Sequence, residues 1–340
     1  MRYVESLNRS LHALLERDER VLFIGEDILD PYGGAFKVSK GLSTRFPDRV
    51  ITTPISEAGI VGFGSGLALR GFRPIVEIMF GDFIALCADQ IINGATKFSW
   101  MYNDQVRVPL VIRTPMGGRR GYGPTHSQSL ERLFFGVTGL TVVAPSHMHM
   151  PGVCLEHAVA DDRGPVLFIE NKKLYPSHVL DDGASMHEDF SVRCIRNCNA
   201  KFPTMALTLA PSSDPDVLLL AYGGMASYAI DAAHTALMEH EVVVEVLLPS
   251  LVKPLPVEDF LPSVEKCGRV VVCEEAPKAS GWGAEVSACL TEALFDRLHR
   301  PVARVCSTDT PIPSSMPLEE NVLPQTADLV EAILLQVGVR

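Results

Sequence analysis

A lone carboxylate, a loop histidine and two nearby phenylalanines are the side chains of this sequence most open to a chemical role. Glu57 follows Arg49-Val50-Ile51-Thr52, which reads as a strand, and opens the apolar, glycine-rich stretch Ala58-Gly59-Ile60-Val61-Gly62-Phe63-Gly64-Ser65-Gly66. A charge facing a dry interior costs on the order of several kcal/mol unless something pairs with it. As a helix cap Glu57 would gain about 0.3–1 kcal/mol from the helix N-terminus. Presented to a heterocycle it would exchange protons near neutral pH, because burial raises its pKa. The local sequence leaves both readings open. His126 lies in Gly121-Tyr122-Gly123-Pro124-Thr125-His126-Ser127-Gln128-Ser129-Leu130-Glu131, a loop whose last residues read as a helix start. Such a histidine is a cap, a solvated side chain or a proton donor. Phe80 and Phe83 flank Gly81-Asp82; they fit a core, and one of them equally fits stacking on a planar ring.

These residues must be held by a scaffold. Short β-branched runs, Val21–Ile24, Val50–Thr52, Pro74–Ile78, Pro109–Ile112, Thr141–Val143 and Val166–Ile169, alternate with longer amphipathic stretches. That rhythm predicts an α/β fold with a doubly wound, mostly parallel sheet. Ligands of such sheets sit beyond the carboxyl ends of the strands, and there the sequence places Gly25-Glu26-Asp27, Ile55-Ser56-Glu57, Phe80-Gly81-Asp82-Phe83 and Thr114-Pro115-Met116-Gly117-Gly118. We expect a first domain over residues 1–180, a linker over 181–215 rich in Asp, Gly and Pro, and a second α/β domain over 216–340.

Composition narrows the function. The chain has 340 residues, 47% hydrophobic and 21% charged, with a net charge of −11 and no dense Lys/Arg block, so nucleic acid and anionic membranes are poor partners. No apolar run approaches the roughly 20 residues that cross a bilayer, and Val4, Leu7, Leu11, Leu14 and Leu15 make the N-terminus an amphipathic helix, so a cytoplasmic protein is expected. Eight scattered cysteines do not form a disulfide framework, and Cys194 and Cys198 near His187 lack zinc-knuckle spacing. Gly62-Phe63-Gly64-Ser65-Gly66 lies inside a helix pattern and misplaces the serine of a nucleophile elbow, so neither a dinucleotide loop nor a hydrolase is supported. Gly59, Gly62 and Gly66 fall on roughly one helical face, which suits close helix packing.

Several stretches together resemble one family, the beta subunit of the thiamine-diphosphate-dependent decarboxylating component of 2-oxoacid dehydrogenases of pyruvate, branched-chain and acetoin type. They are GED at 25–27, YGGAFKVSKGL at 32–42, TPISEAGIVGFGSGLAL at 53–69, RPIVEIMFGDF at 73–83, DQIINGATK at 89–97, VPLVIRTPMGG at 108–118, HSQSLE at 126–131 and GLTVVAPS at 139–146. Ala221-Tyr222-Gly223, GWGAEV at 281–286 and DTPIPSSMPLEENVLP at 309–324 extend the match over nearly the whole chain. The resemblance implies a pyrimidine-binding first domain and a transketolase C-terminal-like second domain. It implies that Glu57 hydrogen-bonds a pyrimidine ring nitrogen and favours the imino tautomer. It further implies that Phe83 stacks near that ring with Ile55 and Met79 lining its pocket, that Glu26 supports the cofactor site, and that His126 assists acyl transfer at the substrate mouth. Oxygens of Leu110, Ala158 and Val159, with Asp161, align with a structural potassium site, although Asp161-Asp162-Arg163-Gly164 is one residue longer than the usual turn. No GDG motif occurs, so the resemblance assigns magnesium and the diphosphate to an alpha-type partner in an α2β2 assembly, with a lipoyl-bearing acyltransferase as acceptor.

The sequence departs from the family pattern at Phe135-Gly136-Val137-Thr138 and at Leu248-Pro249-Ser250-Leu251, which bears on docking to that acyltransferase. A split transketolase-like or acyloin-forming subunit, or a non-catalytic partner subunit, is the competing expectation.

Overall fold

The computed structural model describes residues 1–180, 191–195, 201–209 and 214–338. Six strands of the first half, β1 (Val21–Gly25), β2 (Val50–Thr52), β3 (Arg73–Glu77), β4 (Val111–Met116), β5 (Thr141–Val143) and β6 (Val166–Asn171), lie in one parallel sheet. β1, β4 and β6 are buried along their whole length, as expected of strands covered by helices on both faces. The second half adds β7 (Ser191–Ile195), β8 (Thr204–Thr208), β9 (Val217–Ala221), β10 (Val244–Pro249), β11 (Leu251–Lys253), β12 (Val270–Pro277) and β13 (Ala303–Ser307). The sheet orders are β11-β5-β6-β4-β3-β1-β2 and β13-β12-β9-β10-β8-β7.

Two features go beyond the strand-helix rhythm. β7 and β8, inside the stretch expected to link the domains, form an antiparallel pair that extends the second sheet through β10. β7, at the sheet edge, has no fully buried residue, whereas Thr204, Ala206 and Leu207 of β8 are buried. β11, directly after β10, leaves the second sheet and pairs antiparallel with β5 of the first. The two halves are therefore joined by a shared strand edge as well as by covalent chain, and one apolar cluster runs from Leu22 and Ile24 through Leu110 to Leu218, Leu220 and Trp282. Each such buried side chain contributes roughly 1.5–3 kcal/mol.

The helix Glu57–Leu69 starts at the carboxyl end of β2 and packs on β3. The glycine that makes this contact possible is Gly64, where a Cβ would lie 2.7 Å from Val76 Cγ1 and 3.1 Å from Leu110 Cδ1. The face chosen from sequence is different: Gly59, Gly62 and Gly66 are exposed, and a Cβ at Gly66 would meet nothing within 4 Å. Helical spacing identified a small-residue face correctly, but this chain packs the opposite one. The helix Tyr3–Arg17 buries Leu7, Leu11 and Leu15, and seats Ser6 and Ser10 against Gly152 and Glu156 of the helix Pro151–Ala160. No helix among the described residues is long and apolar enough to cross a membrane.

Candidate functional site: buried carboxyls and a clamped histidine

The carboxyl ends of β1, β2 and β3 bring the first group of residues together. Gly25 closes β1, and a Cβ there would lie 3.0 Å from Cβ of Glu77 on β3, so the strands can approach only without one. Glu26 follows, 5% exposed, with Oε1 lacking any hydrogen-bond partner. Glu57 is the first residue of its helix, 7% exposed, in the turn where the helix dipole favours an anion. The capping position is thus real, yet none of the described residues hydrogen-bonds the Glu57 carboxylate. Burial, and then the charge on Glu57, raises the pKa of Glu26. Cys87 completes the cluster, its thiol pushed up to about 12 by burial and next by Glu57 and Glu26. Burial and the neighbouring carboxylate together favour the protonated form of Glu26.

The second group surrounds His126. Its half-buried ring packs edge-on against Phe80, centroids 4.7 Å apart, and against Phe83 at 5.2 Å. Phe80 and Phe83 are themselves T-shaped at 6.0 Å. Thr125 Oγ1 lies 3.0 Å from Nδ1 of His126. Phe83 is half-buried, as is Met79, while Ile55 is 81% exposed and points away from this chain's core. Glu26 and Glu57 are thus a buried, electrostatically linked pair, Phe83 and His126 a separate ring contact, and Ile55 an exposed side chain.

The oxygens aligned with a potassium site have protein partners. Leu110 O accepts from the Val166 N–H at 2.8 Å and Ala158 O from the Asp161 N–H at 3.3 Å. Val159 O accepts from Arg73 Nη1 at 2.7 Å. Arg163 grips the Asp161 carboxylate through Nε and Nη2, which holds its pKa down, and Lys201 lies 3.7 Å away. Cationic side chains already neutralise this corner, so the set does not fit an additional cation. Among the described residues no group of three or more His, Cys, Asp or Glu side chains could hold a metal; His187 and Cys198 lie outside the described residues.

Sequence reasoning passed over four polar groupings. Arg113 on β4 bonds Glu170 on β6 through Nε (2.8 Å) and Nη2 (2.5 Å), and Glu77 on β3 through Nη1, with all three side chains buried. Their signal was available: Glu77, Arg113 and Glu170 each adjoin the apolar run of a strand that reads as buried. Asp82 accepts from the Gln128 N–H and Nε2 at 3.1 and 2.9 Å. Lys172, fully buried, donates from Nζ to His126 O at 2.5 Å. Glu131, read as a helix start, opens a short 3-10 turn but is buried, accepts from the Tyr222 hydroxyl at 2.6 Å, and is raised to about 7 by burial. Nothing in the local sequence announces the last three, because each pairs residues 46 or 91 positions apart, far beyond the three- or four-residue spacing at which helical neighbours meet.

Comparison with known proteins places this geometry. The description "Transketolase, pyrimidine binding domain" matches residues 1–178, and "Transketolase, C-terminal domain" matches 208–329. A 3-methyl-2-oxobutanoate dehydrogenase subunit beta from Mycobacterium tuberculosis is 34% identical over 337 residues, covering 98% of this chain and 92% of that protein. A pyruvate dehydrogenase E1 component subunit beta from Leifsonia xyli is 36% identical over 335 residues, covering 97% and 93%. The chain belongs to the 2-oxoacid dehydrogenase beta-subunit family. An acetoin:2,6-dichlorophenolindophenol oxidoreductase subunit beta from Bacillus subtilis, 33% identical over 346 residues and covering 98% and 96%, widens that family beyond oxo acids. A solved structure titled "Split gene transketolase, inactive beta4 tetramer" superposes with a TM-score of 0.73 at 19% identity, covering 99% and 98%, and supports the fold alone. In members of this thiamine-diphosphate-dependent family the beta subunit is one part of a heteromeric enzyme. The residues at the carboxyl ends of β1 and β2 fit the pyrimidine end of that cofactor, since Glu57 and the orphaned Glu26 Oε1 are buried and await a polar partner.

Proposed function

We propose that this chain is the beta subunit of a decarboxylating, acyl-transferring 2-oxo acid dehydrogenase component that works with an alpha-type subunit in an α2β2 assembly. The observation that carries the reading is the buried Glu57 carboxylate, which no described residue hydrogen-bonds, beside a second buried carboxyl with an orphaned oxygen. Thiamine diphosphate supplies, when bound, the nucleophile and the electron sink that side chains lack. Glu57 would hydrogen-bond a pyrimidine ring nitrogen. Glu26, whose pKa burial and Glu57 raise, would keep the pair from carrying two charges. Phe83 and Met79 would bound the ring's pocket, and Ile55 would close it from the outer edge. His126, held against Phe80 and Phe83, would serve the acyl-transfer step by donating or accepting a proton at its imidazole.

The outer surface supports a second subunit at this site. Ile55 and Phe63 are exposed on the side where Gly59, Gly62 and Gly66 leave the helix backbone open, and exposed apolar groups around small residues admit close approach of another chain. In this reading that chain brings magnesium and the diphosphate pocket, a lipoyl-bearing acyltransferase takes the acyl group, and the enzyme is cytoplasmic.

The test is 2-oxo acid decarboxylation with an artificial electron acceptor, using this chain co-produced with an alpha-type subunit. Glu57→Gln is expected to lower the rate by about 10²–10⁴-fold while the assembly still forms. A Glu57→Gln enzyme within about threefold of wild type would remove the basis of the reading.

A further inference from the structure

The wall that carries His126 is built with an unusual part. Lys172 begins the turn after β6 with its side chain fully buried, and none of the described salt bridges reaches it. Its ammonium lies 5.3 Å from the Phe80 ring centroid and 5.9 Å from that of Tyr122, and it donates to the backbone oxygen of His126. Phe80 is the same ring that meets the His126 imidazole. Asp82 grips the loop two residues on, accepting from the backbone and side-chain amides of Gln128. Opposite charges from the turn after β6 and from the segment after β3 therefore pin the two peptides flanking Ser127. A buried ammonium is expensive, and a neutral donor would satisfy one carbonyl at less cost.

We infer that Lys172 is a positioning residue for His126, its charge and hydrogen bond fixing the peptide that sets the imidazole against Phe80 and Phe83. This rests on the proposed acyl-transfer role of His126. Lys172 does not face the reacting atoms; it acts through the loop. Burial, with a smaller push from Arg120, lowers its pKa to about 8 against attraction from Asp82, Glu275 and Glu319, so the clamp loses its charge in the alkaline range and an arginine would keep it.

The test uses the complete enzyme with its alpha-type subunit and compares two readouts. One is decarboxylation with an artificial electron acceptor. The other is reductive acylation of a lipoylated domain, in which the lipoyl disulfide takes both the acyl group and the electron pair, leaving an S-acyl thioester and a thiol. Lys172→Met is expected to slow acyl transfer by about 10–100-fold, the range of a lost charge-assisted hydrogen bond, with a smaller effect on decarboxylation. Lys172→Arg should restore transfer and move its alkaline limb above about pH 8. Equal losses in both readouts for Lys172→Met, or an alkaline limb unmoved by Lys172→Arg, would overturn the inference. Should Lys172→Met fail to assemble, the limb of Lys172→Arg decides alone. His126→Ala separates the two layers: unchanged transfer in that variant refutes the role of His126 itself, whereas lost transfer with an unaffected Lys172→Met refutes only the clamp.

Discussion

The first sheet buries carboxylates in two ways within a few strands of each other. Glu77 and Glu170 share the guanidinium of Arg113, and the Tyr175 hydroxyl donates to Glu170 at 2.8 Å, so that cluster is complete within the chain. Burial opposes the Arg113 charge, but Glu170 and then Glu77 outweigh it and push its pKa up. Glu26 and Glu57 are about as buried and have no cation. Burial raises Glu26, the Glu57 charge raises it further, and one of its oxygens has no partner at all. A satisfied cluster holds strands in register. An unsatisfied one calls for another explanation, and the proposed cofactor site supplies it.

The sharpest way to break this contrast is to neutralise each cluster. Glu57→Gln should reduce decarboxylation by about 10²–10⁴-fold yet leave the chain as stable as before or slightly more so, since a buried charge is removed; kinetics and denaturant melts on one preparation read both. Arg113→Met should do the reverse at the other cluster. It leaves Glu77 and Glu170 buried without their cation, and should cost about 3–5 kcal/mol in chemical denaturation. An Arg113→Met chain of normal stability would show that the triad is ornamental to the fold.

Glu131 sharpens the comparison because it is buried against a neutral donor, Tyr222, with no cation bonded to it. Its pKa is raised from 4.5 to about 7, mainly by burial. A group raised on folding stabilises fully below its unfolded value and loses that contribution as pH rises through its folded value. Stability should therefore decline between about pH 4.5 and about pH 7 in the wild type, and Glu131→Gln should flatten that slope. Denaturation midpoints across that window check it. The smallest effect belongs to an exposed pair, Arg45 and Glu16, 2.5 Å apart with both side chains half in solvent. Arg45→Ala should change stability by less than about 1 kcal/mol.

Much of the architecture was legible because buried parallel strands announce themselves. The runs Val21–Ile24, Val50–Thr52, Thr141–Val143 and Val166–Ile169 all fall on strands of the first sheet. Glu57 was conspicuous for the same reason, as one charge at the edge of an apolar run. What stayed hidden depends on where distant segments meet. β11 occupies three residues after β10, and only the first sheet's free edge explains why it turns there. Lys172 follows Asn171 in an ordinary polar turn, and its role exists only because the His126 loop folds over it. Gly64 and Gly66 are alike in sequence, yet Val76 and Leu110 crowd one and nothing meets the other.

The central claim is that Glu57 belongs to half of a cofactor site. Calorimetric titration of thiamine diphosphate with magnesium tests it most directly, on this chain alone, on its assembly with an alpha-type subunit, and on that assembly carrying Glu57→Gln. The account predicts no measurable binding to the isolated chain, saturable binding to the assembly, and weakened binding in the Glu57→Gln assembly. Binding to the assembly that is indifferent to Glu57→Gln, or full-strength binding to this chain alone, would contradict it.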